Sequence, residues 1–359
     1  MRGQSSIAVL ALLCAILGAG PCACGPAKSS GPVSAILVTI DTTRADALSP
    51  YGAPSYVSPD LERLAAQCVR YTNARSVAPL TLPAHASMLT GLYPPRHSVR
   101  DNGLCPLPAG ALTVAERAQA AKIQTAAFVS ALVLDRAFAL DQGFETYDQP
   151  PRPTQQVSSH YVERSAAATV DLARAWMAKR DPARPFFLWI HLYDPHVPYA
   201  PAKQFLDQAH GDAYRGEIAA ADAALGKFLE ELSADGTLAQ TFLGITSDHG
   251  ESLGEHGEPT HGAFCYDATM RVPLLVRYPD ARRGGSVAED LVSIADLAPT
   301  LVEAMGLAAL PEIDGLSLFD RSRHRVHAVD CDRKDSARRF REVRQVPWLR
   351  RASERDRRC

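Results

Sequence analysis

Along this chain, uninterrupted runs of apolar and β-branched residues stop abruptly at acidic or imidazole side chains. The first run, SAILVTI from Ser34, shows no polar alternation and ends at Asp41. That is the pattern of a strand buried on both faces. PFFLWIHL runs into Asp194-Pro195-His196, and TFLGIT runs into Ser247-Asp248-His249-Gly250. TAAFVSALV and VPLLVRYP are further buried candidates, and VRYTNARSV is compatible with a strand. Helical spacing marks residues 163–178 and 216–232, the segment IADLAPTLVEAMGL, and a stretch from Pro83 to Leu89. SPDLERLAAQ adds a helix with Ser58 as N-cap and Pro59 at the first helical position. Strands alternating with helices predict a mostly parallel α/β sheet with helices on both faces.

The polar residues fall in a telling place. Asp41, Asp194 with His196, and Asp248 with His249 each follow the carboxyl end of an expected strand. In open α/β sheets, ligands bind at that edge. The segment SDHGESLGEHG adds Glu251, Glu255, His256 and three glycines, with His261 soon after. A solvated loop has a similar composition, but Asp41, Asp248 and His249 together form an oxygen and nitrogen set suited to a divalent cation. In VAPLTLPAHASMLTG, Thr81 lies two residues before a proline. Threonine is an ordinary N-cap. A nearby dication would also lower its hydroxyl pKa, and a helix N-terminus favours phosphate or sulfate. Capping and catalysis are both open to it. Farther on, His97, Arg100, Asp101 and Asn102 suit either anion contact or a helix end. His191 reads as a strand residue with a satisfied hydrogen bond, and His160 and His210 have no context that raises them.

Composition narrows the class. With 359 residues, 46% hydrophobic and 22% charged, the chain has the makeup of a globular protein. A formal charge of −2 argues against a generic nucleic-acid binder, and none is expected as a partner. That balance hides an asymmetry: from Arg321 onward lie fourteen Lys and Arg against six Asp and Glu, leaving the rest near −10. At the other end, Arg2 and the apolar IAVLALLCAILGAG predict an export signal over residues 1–24, with a linker over 25–33. Cys22 or Cys24 is a candidate for lipidation and hence membrane attachment. The five cysteines beyond the leader show no metal or disulfide spacing, and Cys68 suits a core position.

Six motifs, in register, carry a resemblance: ILVTIDTTRADALSPYG, TLPAHASMLTGLYPPRHSV, LDQGFETYD, YDPHVPYAP, SDHGESLGEHG and RVPLLVRYP. Over residues 34–318 the chain resembles the sulfatase family of the alkaline-phosphatase superfamily. The resemblance implies an alkaline-phosphatase-like α/β fold, one active-site divalent metal, and hydrolysis or transfer of sulfate or phosphate esters. It implies that Asp41, Asp248 and His249 are metal ligands, with Thr81 at the nucleophile and metal-contacting position. His196 falls on the histidine of the Pro-His-x-Pro motif, a substrate-oxygen ligand or leaving-group acid. His261 lies about where a substrate-binding lysine often follows the Gly-Glu-His-Gly motif in the family.

The departures shape the expected chemistry. Thr42 replaces the family's second aspartate, so Mn²⁺, Zn²⁺ or Mg²⁺ suits the site at least as well as Ca²⁺. His85 replaces the signature arginine and takes its place as a catalytic candidate. Threonine cannot be oxidised to formylglycine, because its β-carbon carries a methyl group. A threonine ester must be released by attack of water or another alcohol, which leans the expectation toward phosphoryl-type substrates. A sulfuric ester hydrolase working without formylglycine and a non-catalytic anion or lipid-headgroup binder are the alternatives. The family chain usually continues into a small C-terminal subdomain, whereas residues 319–359 are Arg-rich with little periodicity, expected to be a disordered or aberrant tail.

Overall fold

The computed structural model describes residues 33–151 and 164–320. The expected leader, the linker up to residue 32 and the basic tail from 321 lie outside the described residues, as does His160. Among the described residues, nine strands form one sheet: β1 (Ser34–Ile40), β2 (Val69–Arg75), β3 (Gln124–Phe128), β4 (Thr146–Asp148), β5 (Phe186–Leu192), β6 (Thr241–Thr246), β7 (Arg271–Arg277), β8 (Val287–Ala288) and β9 (Val292–Ser293). Their order is β4-β3-β5-β1-β6-β7-β2-β8, with β9 also on β2. Neighbours pair in parallel except around β7, which is antiparallel to both β6 and β2. The mostly parallel α/β expectation therefore holds.

β1 lies between β5 and β6, with every residue after Ser34 buried. Its alternating side chains feed two cores. Leu37, with Phe187 and Trp189 of β5, packs beneath α2 (Thr81–Thr90), α4 (Val114–Ala120) and α9 (Leu297–Ala304). Ile36 and Val38, with Leu188 and Ile190, pack beneath α1 (Pro59–Ala65), α5 (Ala166–Lys179) and α7 (Ala213–Ala234). Three shorter helices complete the set: α3 (Pro94–His97), α6 (Lys203–Gln208) and α8 (Asp267–Met270). Among the described residues, no helix is long and apolar enough to cross a membrane.

Two capping expectations change. Ser58 occupies the N-cap position of α1, but its hydroxyl accepts from the Ser49 backbone N–H instead. The first N–H groups of α1, those of Asp60 and Leu61, donate to the carboxylate of Asp222 on α7. The orphan donors of that helix are thus satisfied by a residue far away in sequence. Likewise, Thr81 is the first residue of α2 rather than its cap, which is Leu80. Pro83 fits the first turn because its missing N–H has no helical acceptor there.

Candidate active site

β1, β5 and β6 deliver their carboxyl ends to one edge of the sheet, and the N-terminus of α2 faces the same point. The backbone leaves β1 with the Asp41 N–H still bonded to the Leu192 carbonyl at 2.8 Å. It then turns sharply at Thr42, where φ is 50°, a strained value for a β-branched residue. Three contacts hold this turn. The Thr42 hydroxyl donates to the Pro195 carbonyl, its N–H donates to Asp248 Oδ1, and its carbonyl accepts from the Tyr214 hydroxyl. Thr42 thus turns its side chain to a backbone carbonyl and supports Asp248 through its N–H.

Asp41, Asp248 and His249 are fully buried, and one ligand atom from each lies within 4.8 Å of the others. Each carboxylate is fixed by one oxygen and left bare at the other. Asp41 Oδ2 accepts from His191 Nε2 at 3.1 Å, while Oδ1 has no partner. Asp248 Oδ1 accepts from the N–H groups of Thr42 and His249, while Oδ2 has no partner. His249 Nδ1 faces the Gly250 carbonyl at 3.0 Å and must carry the proton, which leaves Nε2 a lone pair that faces the Thr81 hydroxyl at 3.4 Å. Buried polar atoms without partners are costly. Here they converge: His249 Nε2 lies 3.3 Å from Asp248 Oδ2 and 3.9 Å from Asp41 Oδ1. Burial and the Asp248 charge push the Asp41 carboxyl well above its usual range. Burial, with His261 nearby, holds His249 well below the usual imidazole value and so neutral. The donor set and its bare atoms fit a divalent cation.

Thr81 Oγ1 lies 3.4 Å from His249 Nε2 and is almost wholly buried. The hydroxyl is therefore beside the three candidate ligands. Asn102 Oδ1 accepts the Leu82 N–H at 2.9 Å, satisfying a donor in the first turn of α2. A cavity of about 240 Å³ opens in front of Thr81, with Asn102, Tyr193, His196 and His261 in its wall. His196 stacks on Tyr193 with ring centroids 4.4 Å apart, and its Nδ1–H donates to the Val197 carbonyl at 2.7 Å. That leaves Nε2 uncommitted. His261 Nδ1 sits 3.2 Å from Glu251 Oε2, and its ring lies 4.4 Å from that of His249. Burial lowers the His261 pKa, but the Glu251 hydrogen bond and charge outweigh it and raise the value overall.

His85 is placed differently from its expected catalytic position. Its Nδ1 donates to the Thr81 carbonyl at 2.8 Å, and its Nε2 accepts from the Thr39 hydroxyl at 3.0 Å. Trp189 Nε1 donates to the same hydroxyl. Burial pushes the His85 pKa down to about 3. Both nitrogens are committed, so the ring braces the first turn of α2. Asp194 also leaves the site, because its carboxylate accepts the Ala166 N–H at the start of α5. His97 instead meets Ser87 at 2.9 Å in the core.

Two residues were harder to foresee. His191 donates Nε2–H to Asp41 and accepts the Ser130 N–H at Nδ1. An imidazole inside an otherwise apolar strand next to the ligand edge is the signal that could have revealed it. In the sequence Glu251 is one acid among several in a polar loop, yet it is fully buried and holds His261, the Tyr199 hydroxyl and the Ser252 N–H.

Comparison with known proteins bears on the fold and the family. The fold is similar to that of a solved phosphonate monoester hydrolase of Agrobacterium radiobacter. The two share 21% identity at a TM-score of 0.69, over 86% of this chain and 83% of that one. The family model described as Sulfatase matches residues 34–307, so the chain belongs to the sulfatase family. An ulvan-active sulfatase of Formosa agariphila is 28% identical, over 80% of this chain and 64% of its own. Human N-acetylgalactosamine-6-sulfatase is 27% identical, over 82% of this chain and 66% of its own. The chain thus spans about two thirds of the length of these curated relatives.

Proposed function

We infer that the protein is a metal-dependent hydrolase, or transferase, of sulfate or phosphate esters in which Thr81 is the nucleophile. The single observation that carries this reading is the convergence of the partnerless Asp41 Oδ1 and Asp248 Oδ2 with His249 Nε2, beside the Thr81 hydroxyl. A divalent cation held by Asp41, Asp248 and His249 would lower the pKa of the hydroxyl and offset charge on the ester oxygens.

The chain's own residues account for the remaining steps. The positive end of α2 favours the ester's anionic group in front of Thr81. His261, held by Glu251 and biased toward its cationic form, supplies positive charge where the family places lysine. Thr81 Oγ1 gives up its proton to solvent and attacks the central phosphorus or sulfur, and the bond to the leaving oxygen breaks. His196, its Nδ1–H fixed by the Val197 carbonyl, enters as the imidazolium, gives its Nε2 proton to that oxygen and is left neutral. Water or an acceptor alcohol then attacks the threonine ester, with His196 taking back a proton. Because no formylglycine can form at Thr81, release requires this attack at the central atom. Phosphoryl-type esters tolerate it, which favours phosphodiesters and phosphonate monoesters. The named activities of the sulfatase relatives favour the second reading, a sulfuric ester hydrolase without the aldehyde. The leader adds an exported location to the proposal, with Cys22 or Cys24 as a lipid anchor.

The test is the purified protein, stripped of metal, assayed on nitrophenyl sulfate, phosphate, phosphodiester and phosphonate esters with Mn²⁺, Zn²⁺, Mg²⁺ or Ca²⁺ restored singly. The reading predicts turnover of at least one ester that requires an added ion. Turnover of none with any ion would leave the anion-binding alternative.

A further inference from the structure

The cavity before Thr81 has one wall that the mechanism does not use. After β3 the chain makes a 3-10 turn, Leu132–Leu134, whose register is fixed by burial of Ala131 and Leu134 in the core. That register turns Leu132 and Val133 to the cavity. Val133 still packs partly on the core beneath α2, but Leu132 joins neither core and remains only half-buried. Across the opening, Val197 also lines the cavity and joins neither core. Among the described residues, no lysine or arginine lines this cavity. Apolar side chains lining a cavity next to a reacting group mark where the unreactive part of a substrate lies.

We propose that Leu132, Val133 and Val197 form a leaving-group subsite for a compact apolar moiety, aromatic or branched aliphatic. The substrate class is then a monoanionic ester with one hydrophobic substituent, not a multiply sulfated or phosphorylated glycan. A polyanionic chain would need cationic side chains flanking the reacting group, and among the described residues the cavity wall offers only the imidazoles of His196 and His261. This inference rests on the reading of Thr81 as the reacting centre, and it is specific about what lies beyond that centre.

Two readouts separate the subsite from the chemistry. The first is binding to the metal-loaded protein, by calorimetry, of methanesulfonate, benzenesulfonate and naphthalenesulfonate, none of which can be hydrolysed. The second is kcat/KM for methyl, phenyl and naphthyl esters of whichever acid is turned over. The subsite predicts that benzenesulfonate binds roughly tenfold or more tighter than methanesulfonate, since each buried carbon group contributes severalfold. Leu132→Ser and Val133→Ser should each shrink that ratio severalfold while leaving methanesulfonate affinity in place. Val197→Thr provides a near-isosteric check in case a serine variant folds poorly. Equal affinities for the three sulfonates, or ratios untouched by all three variants, would overturn the subsite even if ester hydrolysis is found. Tight, variant-sensitive aryl binding without turnover of any ester would instead support the subsite and refute the catalytic reading.

Discussion

Replacing Asp41 by asparagine should make the metal-free protein more stable, the opposite of the usual outcome at a buried polar site. Asp41 Oδ1 and Asp248 Oδ2 are buried and lack partners, and one oxygen of each carboxylate lies within 4.8 Å of one on the other. At an effective dielectric near 20, two unit charges at 4.8 Å repel by about 3.5 kcal/mol. The asparagine carbonyl can still accept from His191 Nε2, and its amide can donate to Asp248 Oδ2. The gain without metal should therefore be about 2–4 kcal/mol, or roughly 3–7 °C in Tm for a chain of this length. The sign with pH follows from the raised Asp41 pKa. The folded protein keeps a proton that the unfolded chain releases near the ordinary aspartate value of 3.8, so metal-free stability falls as pH rises above about 4. Asp41→Asn should flatten that decline. Metal reverses the comparison. At a concentration about 100 times its Kd, an ion stabilises the wild type by about 2.7 kcal/mol, and the variant should lose most of this. The assay is thermal unfolding in EDTA across pH and then against added Mn²⁺ or Zn²⁺. An Asp41→Asn protein less stable than wild type in EDTA, with its metal response intact, would refute the convergence of these atoms on an ion.

Three further substitutions test the supports of the site. His191→Phe removes the donor to Asp41 Oδ2 and should weaken metal affinity about 10–100-fold, measured by competition with a chelating dye. His85→Arg, which restores the family's residue type, should cost about 2–4 kcal/mol by chemical denaturation, because His85 is wholly enclosed beside Trp189 and Thr39. Gly250→Ala would set a Cβ 2.0 Å from the Ala268 carbonyl oxygen, so it should shift the loop bearing His249 and lower both Tm and metal affinity.

The sheet was legible because long apolar runs leave few alternatives to buried strands. Asp41, His196, Asp248 and His249 could be placed because each lies within four residues of the end of such a run, and strand direction brings those ends to one edge. The helix starts were less legible. Serine or threonine before a proline suggests a cap, yet Asp222 caps α1 from α7, and Leu80 rather than Thr81 occupies the cap of α2. Which carboxylate faces a helix and which faces a ligand depends on distant partners. Asp194 illustrates this, since it follows a strand just as Asp41 does but turns to the start of α5. His191 is the converse case. Its role depends on the pairing of β5 with β1, which sets it beside Thr39 one residue before the strand end. No local pattern contains that register.

The central claim is that the Thr81 oxygen attacks the substrate. Its most direct test is acid quench of the metal-loaded enzyme during turnover of its best ester, followed by peptide mass analysis, with Thr81→Ala and Thr81→Ser assayed in parallel. The account predicts a phosphoryl or sulfuryl ester on Thr81. It also predicts a loss on the order of a thousandfold or more in Thr81→Ala, with much of the activity kept in Thr81→Ser. An unmodified Thr81, together with Thr81→Ala activity within about tenfold of wild type, would mean that water attacks directly and would contradict the account.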